Sequence, residues 1–173
     1  MSHKHFFAVC AAISMLLTSC KKDDYSGEIS ALKNGNPWEG KIRVEPTAFS
    51  SSKVTIFIET FDKNGYFAET LFFFKVPTKV SKLSLSETIN HPPDDSFIGC
   101  NYLNSYEDQL LDIFVISAND STSYIEITDY NEEKGELRGK FNLILWPEPG
   151  IPGSWNAPDS LVFSDGVFHT RIN

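Results

Sequence analysis

Two strand-like runs on either side of Asn64-Gly65 constrain the fold more than any other feature of this sequence. Residues 54–61 alternate between two sets of side chains, and residues 66–76 are again rich in aromatic and β-branched types. Both residues of an Asn-Gly pair tolerate the positive φ angles of a tight turn. The pattern therefore predicts a β-hairpin over residues 53–76.

The same hairpin carries apolar side chains on both of its faces. Phe57 and the consecutive Phe72, Phe73 and Phe74 must divide between the two faces, because successive side chains of a strand point in opposite directions. A strand that is apolar on both faces is covered on both sides, or its second face is a binding surface.

Similar patterns recur along the rest of the chain. Residues 124–130 and 137–145 flank a charged loop and predict a second hairpin. Asn34-Gly35 predicts a turn that closes one end of the domain, with Trp38 as a core or lid aromatic. Shorter strands are predicted at residues 79–85, 97–102, 110–117, 161–163 and 167–172.

No stretch of the sequence combines a sustained helical period with helix caps. We therefore expect an all-β fold of roughly nine or ten short antiparallel strands, arranged as a sandwich or as a closed barrel. The strand pattern does not distinguish these two architectures. A barrel would offer an interior cavity, whereas a sandwich would offer loops and a face.

The N-terminal segment is built like a secretory signal. Lys4 gives a basic start, residues 6–17 are apolar, and the small residues Thr18-Ser19 precede Cys20. A membrane-spanning helix needs roughly 20 apolar residues, so this run is too short to be one. The simplest alternative is an ordinary secretory signal with an incidental cysteine.

Leu17-Thr18-Ser19-Cys20 resembles the lipobox of bacterial lipoproteins. The resemblance implies cleavage between Ser19 and Cys20, with diacylglycerol on the Cys20 thiol and an acyl group on the new amine. Several acyl chains hold a protein durably at a membrane. Residues 21–24 resemble the start of surface lipoproteins of the Bacteroidota, which implies an outer-membrane protein that faces outward. The same charges also suit a solvated tether.

A second resemblance covers about half of the chain. Asn34-Gly35-x-Pro37-Trp38, the segment 124–143 and the ending 163–168 are similar to small uncharacterised lipoproteins of the Bacteroidota. These motifs are structural, so they imply a fold and a location but no chemistry. The proline-rich stretch before residue 160 departs from the compact pattern of that group.

Charge and cysteine content narrow the classes of function. Residues 1–19 are expected to be a signal peptide, 20–30 a lipidated tether and 31–173 a single β domain. The net charge of −8 and the lack of a basic stripe argue against nucleic acid as a partner. Cys100 has no partner once Cys10 is removed and Cys20 carries lipid. It is expected to be a buried apolar residue, the alternative being a reactive or intermolecularly paired thiol.

The sequence offers little for catalysis. Only His91 and His169 remain after signal removal, and no metal-protease, zinc-ribbon, phosphate-loop or serine-hydrolase motif occurs. His91 with Asp94 and Asp95 could bind a metal, but a solvated loop explains the same residues. We therefore expect a protein that is not an enzyme and has neither a cofactor nor a metal.

Binding has one lead in the sequence. Trp146 and Trp155 flank a stiff Pro/Gly segment with Ile151 at its centre, and such aromatics can stack on sugars or pack on a protein. The alternative is that the segment folds back as a plug over the sheet. The sequence thus favours a lipid-anchored surface or periplasmic binding module for glycan or protein. The alternatives are a barrel that holds a small apolar ligand and a structural component of the envelope.

Overall fold

The structure, a computed structural model, describes residues 26–47, 50, 52–85, 98–107, 109–117, 120–151, 153–154 and 156–172. These ranges contain ten β-strands and no helix. The strands are β1 (Gly27–Lys33), β2 (Asn36–Pro46), β3 (Lys53–Phe61), β4 (Phe67–Pro77), β5 (Ser81–Ser84), β6 (Gly99–Tyr106), β7 (Gln109–Ile116), β8 (Tyr124–Asn131), β9 (Glu136–Pro147) and β10 (Leu161–Arg171).

Eight of the strands form a closed antiparallel barrel. The hydrogen-bonded order is β10-β1-β2-β3-β4-β6-β7-β9, and a pairing between β9 and β10 closes the ring. The architecture is therefore a barrel rather than a sandwich, and the all-β prediction is confirmed. An eight-stranded barrel has an interior just wide enough to be filled by side chains or to hold one small ligand.

The two remaining strands extend the sheet from the edge of β9. Residues 145–147 of β9 pair with β7, and residues 136–142 pair with β8, which in turn pairs with β5. Between these two stretches the N–H of Ile144 donates to Oγ of the buried Ser123, at 2.8 Å. A side chain thus satisfies the backbone donor at the gap between β7 and β8.

The barrel interior is filled largely by aromatic and branched side chains. Phe73, Phe114, Phe141 and Phe163 are almost completely buried, and the ring centroids of Phe73 and Phe141 lie 5.3 Å apart. Trp38 is 6% exposed and packs edge-on against Phe163, as expected of a core aromatic. Along β8 and β9 the side chains that point inward are buried, and the predicted second hairpin is present.

The apolar second face of the first hairpin is also confirmed. Phe57 on β3 pairs across the sheet with Phe72 on β4, and their ring centroids lie 6.0 Å apart on the outside of the barrel. Phe74 meets Phe72 edge-on at 4.6 Å. The Arg43 guanidinium lies 4.1 Å from the Phe57 ring centroid. We call Arg43, Phe57, Phe72 and Phe74 the aromatic face; only Phe73 of the predicted cluster points into the barrel.

The predicted boundaries of β1, β9 and β10 are among those that differ from the structure. β1 begins at Gly27, so residues 27–30 belong to the barrel and not to the tether, because Ile29 alternates inward and joins the core. β9 continues to Pro147, where its last residues pair with β7. The two predicted C-terminal strands are one strand, β10, which contains a bulge between Phe163 and Gly166.

The bulge in β10 explains the Asp165-Gly166 pair without a turn. Asp165 has a positive φ of 54°, a value that Asp tolerates better than most residues. A Cβ at Gly166 would lie 2.6 Å from the ring of Phe141, so glycine leaves room for that ring. The Asn34-Gly35 and Asn64-Gly65 turns lie where the sequence predicted them, with positive φ at Asn34, Gly35 and Gly65.

Candidate functional site

An open cavity of about 510 Å³ lies at one end of the barrel. The β1–β2, β3–β4 and β6–β7 turns meet at this end, because antiparallel neighbours place alternate turns together. The connection from β9 to β10 supplies a further wall. We call it the mouth cavity, and its volume falls in the range of small-molecule sites, about 300–1,000 Å³. Its polar lining includes Lys33, Asn34, Glu69, Tyr102, Asn104, Asp112, Ser154 and Asn156.

Glu69 is the centre of one hydrogen-bond network in the mouth cavity. Its carboxylate accepts hydrogen bonds from Nε1 of Trp38 and from Nζ of Lys33. The Lys33 ammonium also donates to the Tyr102 hydroxyl at 3.2 Å and lies 5.4 Å from that ring's centroid. The side chains of Lys33 and Glu69 are 24% and 20% exposed, so this ion pair is partly withdrawn from water.

Tyr102 keeps its proton in this network. Burial raises the pKa of Tyr102 well above its usual value, and the charges of Glu69 and Asp112 raise it further. The hydroxyl also hydrogen-bonds the Glu69 carboxylate. It is therefore a neutral group at physiological pH, and the two nearby carboxylates favour this state.

Asp112 is the centre of a second network. Its side chain is almost fully buried and accepts hydrogen bonds from Nδ2 of Asn104 at 2.8 Å and from Oγ of Ser154 at 2.9 Å. The backbone N–H of Ser154 donates to its other oxygen. Burial acts to raise the pKa of Asp112, but the bonds from Ser154 and Asn104 outweigh it and lower the pKa. An ionised Asp112 thus ties the β9–β10 connection to β7.

Two of the three residues that the sequence singled out for binding lie outside the mouth cavity. Trp146 and Ile151 are 46% and 41% exposed, and neither lines the mouth cavity. Trp155 lies outside the described residues, as does Cys20. The Glu148 N–H donates to the carbonyl of Ile113 at 2.9 Å, which continues the pairing of β9 with β7 by one residue beyond Pro147.

The same connection also forms a wall of the mouth cavity. Ser154, Asn156, Ala157 and Pro158 line the cavity, and Ala157 packs against the core. Among the described residues of the proline-rich segment, these four therefore line the cavity, whereas Ile151 does not.

Sequence reasoning missed the two carboxylates of the mouth, although the strands contain a signal for them. Asp112 shares its face of β7 with Phe114 and Ile116, which are both buried. Glu69 likewise shares its face of β4 with Leu71 and Phe73. A charged residue in register with the apolar face of a strand must find partners inside, and this conflict could have been read from the alternation.

The candidates for catalysis and metal binding do not converge in the described part of the chain. His169 is exposed on the outer wall, opposite Glu28, beside a shallow groove of about 560 Å³. His91, Asp94 and Asp95 lie outside the described residues. Among the residues that are described, no three His, Cys, Asp or Glu side chains are grouped so that they could hold a metal ion.

Cys100 is fully buried, as expected of an apolar residue, and burial raises the pKa of its thiol. No helix in the described ranges is both long and apolar enough to span a bilayer.

No protein-family model, curated protein or solved structure matches this chain.

Proposed function

We propose that this chain is a membrane-anchored bacterial lipoprotein whose barrel is a non-catalytic binding module, with the mouth cavity as its ligand site. The observation that carries the proposal is the convergence of polar side chains from β1, β4, β6 and β7 in one open cavity. Ligand sites are typically concave, with a few placed polar groups over an apolar lining. The apolar lining here includes Leu111, Phe114 and Leu161.

The arrangement suits holding a ligand better than transforming one. Both carboxylates of the cavity are engaged by hydrogen-bond donors: Glu69 by Trp38 and Lys33, and Asp112 by Asn104 and Ser154. A general base needs an accessible lone pair that faces the reacting proton, and a nucleophile needs such a base beside it. The networks instead fix the shape of the cavity wall, which favours recognition.

A concave site of this size supports insertion of a small group, such as the end of a glycan, more than docking of a flat protein surface. A small apolar ligand inside the barrel is the alternative, and a closed eight-stranded barrel is compatible with it. It has less support, because four almost fully buried phenylalanines occupy the interior.

Two neighbouring leucines on β7 provide a matched test of the ligand site. Leu111 lines the mouth cavity and is 38% exposed, whereas Leu110 does not line it and is 53% exposed. Both side chains are exposed enough for an arginine to be tolerated. We expect Leu111→Arg to fill the cavity and to weaken binding to glycans on an array, while Leu110→Arg binds like the wild type. Equal binding by both variants would place the ligand elsewhere.

The anchor is tested separately from the site. Cys20→Ser should abolish incorporation of labelled palmitate in a bacterium that processes lipoproteins, and should release the protein from the membrane fraction. Mild protease treatment of intact cells then tests the outward orientation. Digestion supports a surface module. Protection that is lost on cell lysis would contradict the outward orientation and would assign the barrel to the periplasm.

A further inference from the structure

The charged side chains of the mouth cavity already have hydrogen-bond or ion-pair partners within the protein. Lys33 pairs with Glu69, and the Asp112 carboxylate accepts hydrogen bonds from Asn104 and Ser154. An anionic ligand would lose its hydration on entry without gaining an unpaired cation. An anion would also meet two carboxylates against one ammonium, in a chain with a net charge of −8. Anionic ligands are therefore disfavoured.

Neutral hydrogen-bonding groups face the same cavity. Asn104 uses one N–H on Asp112, and within the described residues its amide oxygen has no partner. Asn156 is exposed, lines the cavity, and makes no side-chain hydrogen bond to another described residue. An amide both donates and accepts, as a hydroxyl group does. Ligands rich in hydroxyl groups can satisfy these side chains, whereas an apolar ligand would leave them unpaired.

The remaining lining of the cavity is apolar. Phe114 and Leu161 are almost fully buried, and Leu111 contributes a more exposed apolar side chain. A saturated ring presents C–H groups on its faces and hydroxyl groups around its edge. Such a ring can pack its face on the exposed Leu111 side chain and direct its edge at the two amides.

We infer that the mouth cavity recognises a neutral, hydroxyl-rich ring, such as a hexopyranose unit, and that Asn104 and Asn156 determine this specificity. The inference rests on the proposed function and names the ligand class for the same site. It commits to a neutral sugar ring and against a uronic acid or a hydrocarbon ring of similar size.

The test uses the ¹⁵N-labelled full-length chain in detergent micelles. The probes are the methyl pyranosides of glucose, galactose and mannose, each compared with its uronic acid, together with methoxycyclohexane as an apolar ring. The reporter is the indole N–H signal of Trp38, because that group donates to Glu69 in the cavity. Trp146→Phe and Trp155→Phe identify the signal among the three tryptophans.

We expect at least one neutral pyranoside to shift the Trp38 signal saturably. Half-saturation should occur at a concentration about tenfold lower than for its uronic acid, since charge desolvation of about 1.4 kcal/mol gives that ratio.

Asn156→Ala should weaken this binding by about three- to tenfold, the effect of one hydrogen bond. Asn104→Leu should do the same. If it fails to fold, Asn156→Ala decides alone, because that side chain makes no internal hydrogen bond among the described residues. Gln109→Ala is the control, an exposed amide on β7 outside the cavity.

The outcomes separate this inference from the proposed function. If a uronic acid or methoxycyclohexane shifts the signal as readily as the best neutral pyranoside, the cavity binds ligands but the inferred class is wrong. Equal loss of binding in Gln109→Ala and Asn156→Ala would likewise overturn the assigned contacts. If no probe of any class shifts the Trp38 signal, both the inference and the mouth as a ligand site fail.

Discussion

The mouth cavity and the aromatic face break the ordinary pattern of a β-barrel in opposite senses. In the mouth, Glu69 and Asp112 are charged residues on strand faces that otherwise turn inward. On the aromatic face, Phe57 and Phe72 are apolar residues at outward positions. A soluble barrel strand usually alternates apolar side chains inward with polar side chains outward. Both regions therefore need a specific arrangement to be stable.

The two regions solve the problem differently. Each carboxylate in the mouth accepts directional hydrogen bonds, and those that Asp112 accepts from Ser154 position the connection between β9 and β10. The rings of the aromatic face contact one another and the Arg43 guanidinium, with no comparable directional bond between them. The comparison indicates that inward polar groups build a defined cavity, whereas outward aromatic groups add stability to the wall. Substitutions in each region test this distinction.

The largest effect is expected at Asp112. Asp112→Ala removes a buried acceptor and leaves the donors of Ser154 and Asn104 unpaired, so we expect a loss of about 3–5 kcal/mol of unfolding free energy. Urea denaturation of the variant and the wild type measures this loss. The control is Asp129→Ala on β8, where the side chain is exposed and the expected change is within about 0.5 kcal/mol. Similar losses of unfolding free energy at the two positions would mean that the hydrogen bonds to Asp112 do not stabilise the fold more than an exposed carboxylate does.

The aromatic face should respond less strongly to truncation. Phe72 is 9% exposed and contacts two other rings, so Phe72→Ala should cost about 2–3 kcal/mol, mainly from lost apolar burial. The control is Phe67→Ala, because Phe67 is 43% exposed, and we expect it to cost about 1 kcal/mol. Ligand binding at the mouth should be unchanged in both variants. Loss of binding in Phe72→Ala would show that the two regions are coupled.

The two regions also differ in how far the sequence predicts them. Asn64-Gly65 and the alternation around it are local signals, so the first hairpin and its apolar second face could be read directly. The mouth brings together Lys33, Glu69 and Asp112 from separate strands, and their proximity depends on the pairing of β10 with both β1 and β9. Such long-range pairing leaves no local signature, which is also why barrel and sandwich could not be distinguished.

The mouth should also be the more acid-sensitive region. Hydrogen bonds hold the folded pKa of Asp112 below its unfolded value of about 3.9, so its contribution to stability is present above that pH and is lost as pH falls through the folded pKa. Asp120 has a lowered pKa through bonds from Ser123 and Thr122, despite burial acting to raise it, and it titrates in the same range. Asp120 is present in both proteins, so the difference in unfolding free energy between wild type and Asp112→Asn reports the contribution of Asp112 alone.

We therefore expect the stability gap between wild type and Asp112→Asn to narrow below about pH 4, in urea denaturation measured from pH 7 downwards. Phe72→Ala should keep a constant gap over this range, because no titrating carboxyl is removed. If the difference in unfolding free energy between wild type and Asp112→Asn did not change with pH, the Asp112 charge would contribute nothing to fixing the connection between β9 and β10.

The smallest expected effect concerns the cation at the edge of the aromatic face. Arg43 stacks on Phe57 and bonds the carboxylates of Glu45 and Glu59, and lysine keeps the charge but loses the planar fork. Arg43→Lys should therefore cost about 0.5–1 kcal/mol, the size of a partly exposed cation–π contact. Arg138→Lys is the control, since Arg138 is exposed on β9 opposite His169, and its change should be near zero. If both variants were as stable as the wild type, apolar burial alone would stabilise the rings of the aromatic face. The aromatic face would then differ even more from the mouth cavity, which hydrogen bonds stabilise.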